Sequence, residues 1–320
     1  MGTALAFLLA KHAETTRLIA RDDARASAFQ ASRENARHLP GFTIPESVKV
    51  TADISRGFAG ADLIVVAVPT AFLRSELARV AAAVPVGVPV LSVVKGIERE
   101  TFARPSEIIR DLLGPCPIAI LSGPSHAEEI VRGLPTSVVV AGDDDALNVA
   151  LRDTLSGDAF RVYTNPDAVG VELAGALKNI LGIAAGICEG LRFGDNAKAA
   201  LLTRGLVEAA RFASARGAQP ETFWGLAGVG DVLTTCYSPF GRNRAVGLRI
   251  GAGESLGEIL ASMNDVAEGI TTTQSVHAEA LRREIDMPIT AEVFQILFEA
   301  KSPRTAVTDL MLRGPKVESS

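Results

Sequence analysis

As far as Asn165-Pro166 the chain alternates short β-branched runs with helical stretches, and beyond that point the β-branched runs stop. Alternation of this kind marks a parallel sheet wrapped by helices, because parallel strands need a dozen or more residues to connect them. Strands are predicted at 17–20, 48–51, 62–68, 88–94, 118–122, 137–141 and 160–163. Helices are predicted near 24–37, 71–83, 106–113, 126–132 and 145–155. From residue 169 the pattern is helical, over 171–186, 196–216, 255–263, 272–285, 291–298 and 304–313. The expected fold class is therefore α/β: a Rossmann-like doubly wound sheet over residues 1–165, then an all-α substrate and catalytic domain over 166–320.

Composition removes several function classes. Residues are 48% hydrophobic and 22% charged, which excludes wholesale disorder. Net charge is −5 and aromatics are only 5%, too few stacking platforms and the wrong sign for a nucleic-acid binder. Any anionic partner is expected to be small and held locally. Cys116, Cys188 and Cys236 form neither a metal knuckle nor a disulfide framework, so a reducing cytoplasm is expected, with no metal. The apolar start, M-G-T-A-L-A-F-L-L-A, lacks a basic region before it and a cleavage site after it. The apolar run at 180–188 falls short of the ~20 residues of a membrane span, so no membrane insertion is expected.

A dinucleotide domain opens with an apolar strand, then G-x-G-x-x-G, then a helix whose N–H groups receive the pyrophosphate. Here Gly2-Thr3-Ala4-Leu5-Ala6 reads as the last glycine of that fingerprint and the first helical turn. An ordinary amphipathic N-terminal helix explains these residues equally well. On the first reading the opening strand is missing, the chain is an N-terminally truncated form, and the strands at 17–20 and 62–68 stand about 9–10 Å apart.

Four stretches depart from an ordinary core. S-V-V-K-G-I-E (92–98) puts Lys95 at the carboxyl edge of a strand, where open α/β sheets bind ligands, or else in a solvated loop. S-G-P-S-H-A-E-E (122–129) suits a tight turn into a helix start that favours an anion, and Ser125 with Glu128 also makes a capping box. In E-L-A-G-A-L-K-N-I-L-G-I-A-A-G (172–186), Glu172, Lys178 and Asn179 are the strongly polar side chains of an apolar helix. Small neighbours leave the Lys178 stem little to snorkel along, so burial is expected to lower its pKa and suit it to proton work. G-L-A-G-V-G-D-V-L-T-T-C-Y-S-P-F-G-R-N-R (225–244) gathers Asp231, paired threonines, Gly241, Arg242 and Asn243. An Arg fork suits phosphate. Cys236 reads as packing, and His126 as an acid, a helix cap or a solvated residue.

Taken together, these motifs resemble the bacterial-type NAD(P)-dependent glycerol-3-phosphate dehydrogenases, over residues 2 to about 318. D-V-A-E-G (265–269) and L-M-L-R (310–313) agree. The resemblance implies reversible reduction of dihydroxyacetone phosphate to sn-glycerol 3-phosphate for glycerophospholipid synthesis, with NAD or NADP as cofactor. It implies Lys178 as the catalytic acid/base, with Lys95 and Asp231 near the reacting oxygens. Gly123, Ser125, Gly241, Arg242 and Asn243 are the implied substrate contacts. Met1, Arg21, Lys95, Ala127, Arg242, Val266 and Glu268 are the implied cofactor contacts. Arg21 followed by Asp22 and Asp23 permits either a 2′-phosphate or a 2′-hydroxyl. His126 departs from the small or apolar residue the family carries there. A phosphorylated triose or glycerol substrate and a homodimer are expected. Two alternatives compete: another two-domain dehydrogenase acting on a hydroxy acid, and a degenerate form that keeps the fold without the cofactor.

Overall fold

The computed structural model describes residues 1–263, 267–314 and 317–318. It divides into two compact units, Met1–Val94 with Ser106–Ala168, and Lys95–Pro105 with Val169–Ser320.

The first unit is α/β. It opens with α1 (Gly2–Leu9), β1 (Thr16–Ile19) and α2 (Asp23–Ser32), followed by β2 (Glu34–Asn35), β3 (Leu39–Thr43) and β4 (Val48–Thr51). After α3 (Ile54–Phe58) come β5 (Ile64–Val66), α4 (Thr70–Val80), β6 (Val90–Ser92) and α5 (Pro105–Leu113). The unit closes through β7 (Ile118–Ser122), α6 (Ala127–Val131), β8 (Thr136–Gly142), α7 (Asp145–Leu155) and β9 (Phe160–Asn165). β1 pairs with β4 in parallel, and a separate sheet has the order β5-β6-β7-β8-β9. Its central strands β6, β7 and β8 are buried on both faces, which is why they read as continuous apolar runs. α1 serves both sheets. Leu5 and Leu8 join the core with Leu91, Val93, Ala119 and Leu121, while Ala6 packs with Ile44 and Val48.

Two features differ from the expectation. The helix predicted to Arg37 ends at Ser32, because Arg33 takes left-handed backbone (φ 52°) and a short antiparallel hairpin of β2 and β3 follows. The Arg33 guanidinium bonds the carbonyls of Ile44 and Val48, long-range partners that local propensity does not reveal. β7 and β8 pair antiparallel within an otherwise parallel sheet. The five-residue α6 between them spans only about 7.5 Å, less than the roughly 16 Å of a five-residue strand, so it cannot carry the chain back for a parallel crossover.

The second unit is helical: α8 (Ala168–Gly190), α9 (Gly194–Ser214), α10 (Asp231–Tyr237), α11 (Arg242–Gly251), α12 (Leu256–Ser262), α13 (Glu268–Arg282), α14 (Pro288–Phe298) and α15 (Pro303–Met311). α8 has 23 residues and is long and apolar enough to cross a membrane, but 94% of its apolar window is buried inside the protein. It is the core helix of this unit. Its partner α11 lies unusually close, because Gly186 and Gly190 face the α11 backbone and Gly247 and Gly251 face that of α8. A Cβ on Gly247 would stand 2.0 Å from the Ile183 carbonyl oxygen, and one on Gly186 would stand 2.1 Å from that of Arg244.

Candidate active site

The centre of the helical unit is a buried carboxylate between two ammoniums. Asp231 opens α10, directly after a π-helical turn over Leu226–Gly230. Its Oδ1 accepts from Lys178 Nζ of α8 at 2.5 Å, and its Oδ2 accepts from Lys95 Nζ at 2.6 Å. Thr235 lies one turn further along α10, on the same face, and its Oγ1 stands 2.8 Å from Lys178 Nζ. The Asp231 side chain is 2% exposed, that of Lys178 11% and that of Lys95 16%.

Burial and the neighbouring Lys95 charge lower the Lys178 pKa to about 8, with Asp231 opposing them. Burial alone would raise the Asp231 carboxyl, but the Lys178 and Lys95 ammoniums outweigh it and hold Asp231 below the ordinary range. Burial pushes the Cys236 thiol up to about 12, so this residue is packing rather than a nucleophile.

The polar residues flanking Lys178 are also buried and paired. Glu172 accepts from Arg104 at 2.8 Å. Asn179 Oδ1 accepts from Asn243 Nδ2 at 2.9 Å, and Asn243 Oδ1 takes the Gly269 N–H at 2.9 Å, joining α8, α11 and α13. Among the described residues the Asn179 Nδ2 donor has no partner. Gly241 precedes α11, where a Cβ would meet the Thr235 carbonyl oxygen at 2.7 Å. Arg242 begins α11 and is exposed. Glu268 begins α13; Val266 lies outside the described residues.

The remaining predicted residues belong to the α/β unit. Gly123 has φ +117°, and its carbonyl accepts from Ser125 Oγ at 2.9 Å. The Ser125–Glu128 capping box does not form: His126 is the N-cap of α6, which begins at Ala127, so the helix starts one residue too late for that pair. Arg21 is exposed and 4.0 Å from Glu76, while the Asp22 carboxylate caps α2 by accepting from the Arg25 N–H at 2.8 Å. α1 starts at Met1 with no side-chain cap and no acidic residue in its first turn. Its N–H groups and dipole therefore suit an anionic group, and the residues fit a pyrophosphate-bearing cofactor.

Sequence reasoning assigned no role to Thr235, Asn179 or Arg104. The signal for Thr235 is its spacing of four from Asp231 on a helix; Glu172 stood out in sequence, but nothing local marks Arg104 as its partner.

Comparison with known proteins decides the family. The NAD-dependent glycerol-3-phosphate dehydrogenase N-terminus model matches residues 1–148, and the corresponding C-terminus model matches residues 167–308. The chain belongs to the NAD-dependent glycerol-3-phosphate dehydrogenases. A glycerol-3-phosphate dehydrogenase [NAD(P)+] of Chlorobium phaeobacteroides is 46% identical over 320 residues, covering 99% of this chain and 96% of its own length. One from Halothermothrix orenii is 42% identical, covering 99% and 93%. The crystal structure of the glycerol-3-phosphate dehydrogenase of Coxiella burnetii superposes with a TM-score of 0.93 at 38% identity, covering 97% of this chain and 95% of that one. As a glycerol-3-phosphate dehydrogenase the chain is an oxidoreductase of the NAD(P)-dependent class, and neither the hydroxy-acid reading nor the non-catalytic one is favoured.

Proposed function

We propose that the chain reduces dihydroxyacetone phosphate to sn-glycerol 3-phosphate, and runs the reverse reaction, with Lys178 as the acid/base. The observation that carries this reading is the buried Lys178–Asp231–Lys95 arrangement. The bound nicotinamide, from NAD or NADP, supplies the hydride. As the ketone is reduced its oxygen gains negative charge, and Lys178 Nζ donates a proton to it. Asp231 accepts from Lys178 and Lys95 at once and so fixes both ammoniums, leaving Lys95 to stabilise the same developing charge. Thr235 restricts the Lys178 ammonium further, and the buried Asn179 donor faces no competing acceptor among the described residues.

Arg242 supplies the planar fork for the substrate phosphate; Gly241, Asn243, Gly123 and Ser125 are assigned to substrate binding by their motif positions. Met1, Arg21, Lys95, Ala127, Arg242, Val266 and Glu268 are assigned to cofactor binding by their motif positions. A homodimer is assigned from the family resemblance. Three free cysteines suit a reducing cytoplasm.

Lys178→Met tests the central assignment. Turnover of dihydroxyacetone phosphate is expected to fall by roughly a thousandfold or more, with NADH affinity by titration calorimetry nearly unchanged. A variant that keeps a tenth of the normal kcat removes Lys178 from the acid/base role.

A further inference from the structure

The segment Lys95–Pro105 belongs to the helical unit, although in sequence it lies between strands of the α/β unit. Residues 95–104 form neither helix nor strand. Two of them, Glu100 (φ 70°) and Phe102 (φ 57°), hold left-handed backbone, which non-glycine residues keep only where their surroundings enforce it. At Phe102 the enforcement comes from two arginines. Arg216 Nη2 donates to the Phe102 carbonyl at 3.1 Å, and the Arg282 guanidinium lies 5.7 Å from the centre of the Phe102 ring.

Both arginines converge on one buried carboxylate, Glu279 of α13, which is 1% exposed. Arg282 donates to its two oxygens at 2.6 and 2.8 Å, Arg216 approaches at 3.5 Å, and Arg283 is a third partner. Arg282 and Arg283 are neighbours of Glu279 along the chain and already give it two local ion pairs. The link from Glu279 through Arg216 to Phe102 goes beyond that local need and reaches the loop. Elsewhere the loop is tied by Ser275 Oγ donating to the Ile97 carbonyl at 3.4 Å and by Arg104 on Glu172. Its first residue, Lys95, carries an ammonium to Asp231.

We propose that Glu279 is a positioning residue for Lys95: it holds Arg216 and Arg282 on Phe102 and so fixes the loop that delivers the Lys95 ammonium to Asp231. The proposal rests on the reading of Lys95 as part of the reaction site. Glu279 touches no reacting atom and acts only through the loop.

A double-mutant cycle in the full chain tests it. Glu279→Gln and Lys95→Ala are measured singly and together, reading kcat for dihydroxyacetone phosphate at saturating NADH. Glu279→Gln is expected to lower kcat by roughly 5- to 50-fold when Lys95 is present and by less than about 2-fold when position 95 is already alanine. Arg216→Lys keeps a cation beside Glu279 but lacks the second nitrogen that reaches Phe102, and the same Lys95-dependent loss is expected. If Glu279→Gln fails to fold, this second variant decides. Equal fold losses in both backgrounds, or normal kcat in either variant, overturn the proposal while leaving the reading of the site intact. Normal kcat in Lys95→Ala alone overturns that reading, and the proposal falls with it.

Discussion

Asp231 sets the chemistry of the two lysines, because one buried carboxylate faces both ammoniums. Lys178 must be protonated to donate in the reducing direction and neutral to accept in the oxidising one. With its pKa near 8, kcat for ketone reduction is expected to fall as pH rises through about 8. By the same argument, kcat for glycerol 3-phosphate oxidation falls as pH drops through it. Asp231→Asn removes the charge that favours the protonated form while burial and Lys95 still disfavour it, so both limbs move to lower pH. A pH–rate profile of wild type and variant in each direction checks this; limbs that stay in place would detach the profile from Lys178. Arg242 carries a different job. Arg242→Lys keeps the charge but loses the planar fork, so KM for dihydroxyacetone phosphate is expected to rise by roughly 10- to 100-fold. Kinetics with unphosphorylated dihydroxyacetone provide the control, since an equal effect there would mean that Arg242 does not hold the phosphate. Lys178 and Asp231 stood out in sequence because each interrupts an apolar or glycine-rich stretch. Their meeting was not legible, for they lie 53 positions apart and Lys95 lies 136 from Asp231.

At the scale of elements, close packing of α8 against α11 brings Asn179 to Asn243 and sets where Arg242 begins its helix. Glycines make that approach possible. Gly247→Ala forces a methyl group against the Ile183 carbonyl oxygen and the Ile187 N–H, both backbone atoms that cannot move alone. It is expected to destabilise the protein by about 1–3 kcal/mol or more and to raise KM for the phosphorylated substrate as α11 is pushed off α8. Gly257→Ala on α12, where a Cβ meets nothing within 4 Å, is the comparison and should be neutral or stabilising by about 0.4–1 kcal/mol. Thermal melting of the pair separates the two cases; equal melting temperatures would show that the contact yields. The same glycines explain why α10 and α11 escaped the sequence reading. Glycine and proline between 225 and 241 signal loop, and in α11 only the facing α8 backbone reveals why Gly247 and Gly251 are small. The long strands and α8, α9 and α13 were legible within a few residues, since their apolar runs and helical spacing are local signals. The β2–β3 hairpin was not, because its stop at Arg33 depends on carbonyls eleven and fifteen residues away.

At the scale of the whole molecule, the helical unit is discontinuous in sequence. The C-terminus family model covers 167–308, yet the compact unit also requires Lys95–Pro105. That segment brings two of the charges that make the core of the unit tolerable. Arg104 neutralises Glu172, whose side chain is 1% exposed, and Lys95 shares Asp231 with Lys178. A carboxylate stripped of its partner inside a protein typically costs 3–5 kcal/mol, against a total stability of about 5–15 kcal/mol. A fragment of residues 169–320 alone leaves Glu172 without Arg104, Glu279 without the Phe102 anchor, and the Ile97 site on α13 uncovered. Such a fragment is therefore expected to keep helical far-ultraviolet dichroism but to lose its near-ultraviolet signal, bind a hydrophobic dye and melt without a cooperative transition. Replacing Glu172 by Gln in the fragment removes the unpaired charge and should recover part of the cooperativity. A fragment that melts as sharply as the intact chain would show that helices α8 to α15 carry their own buried charges without the loop.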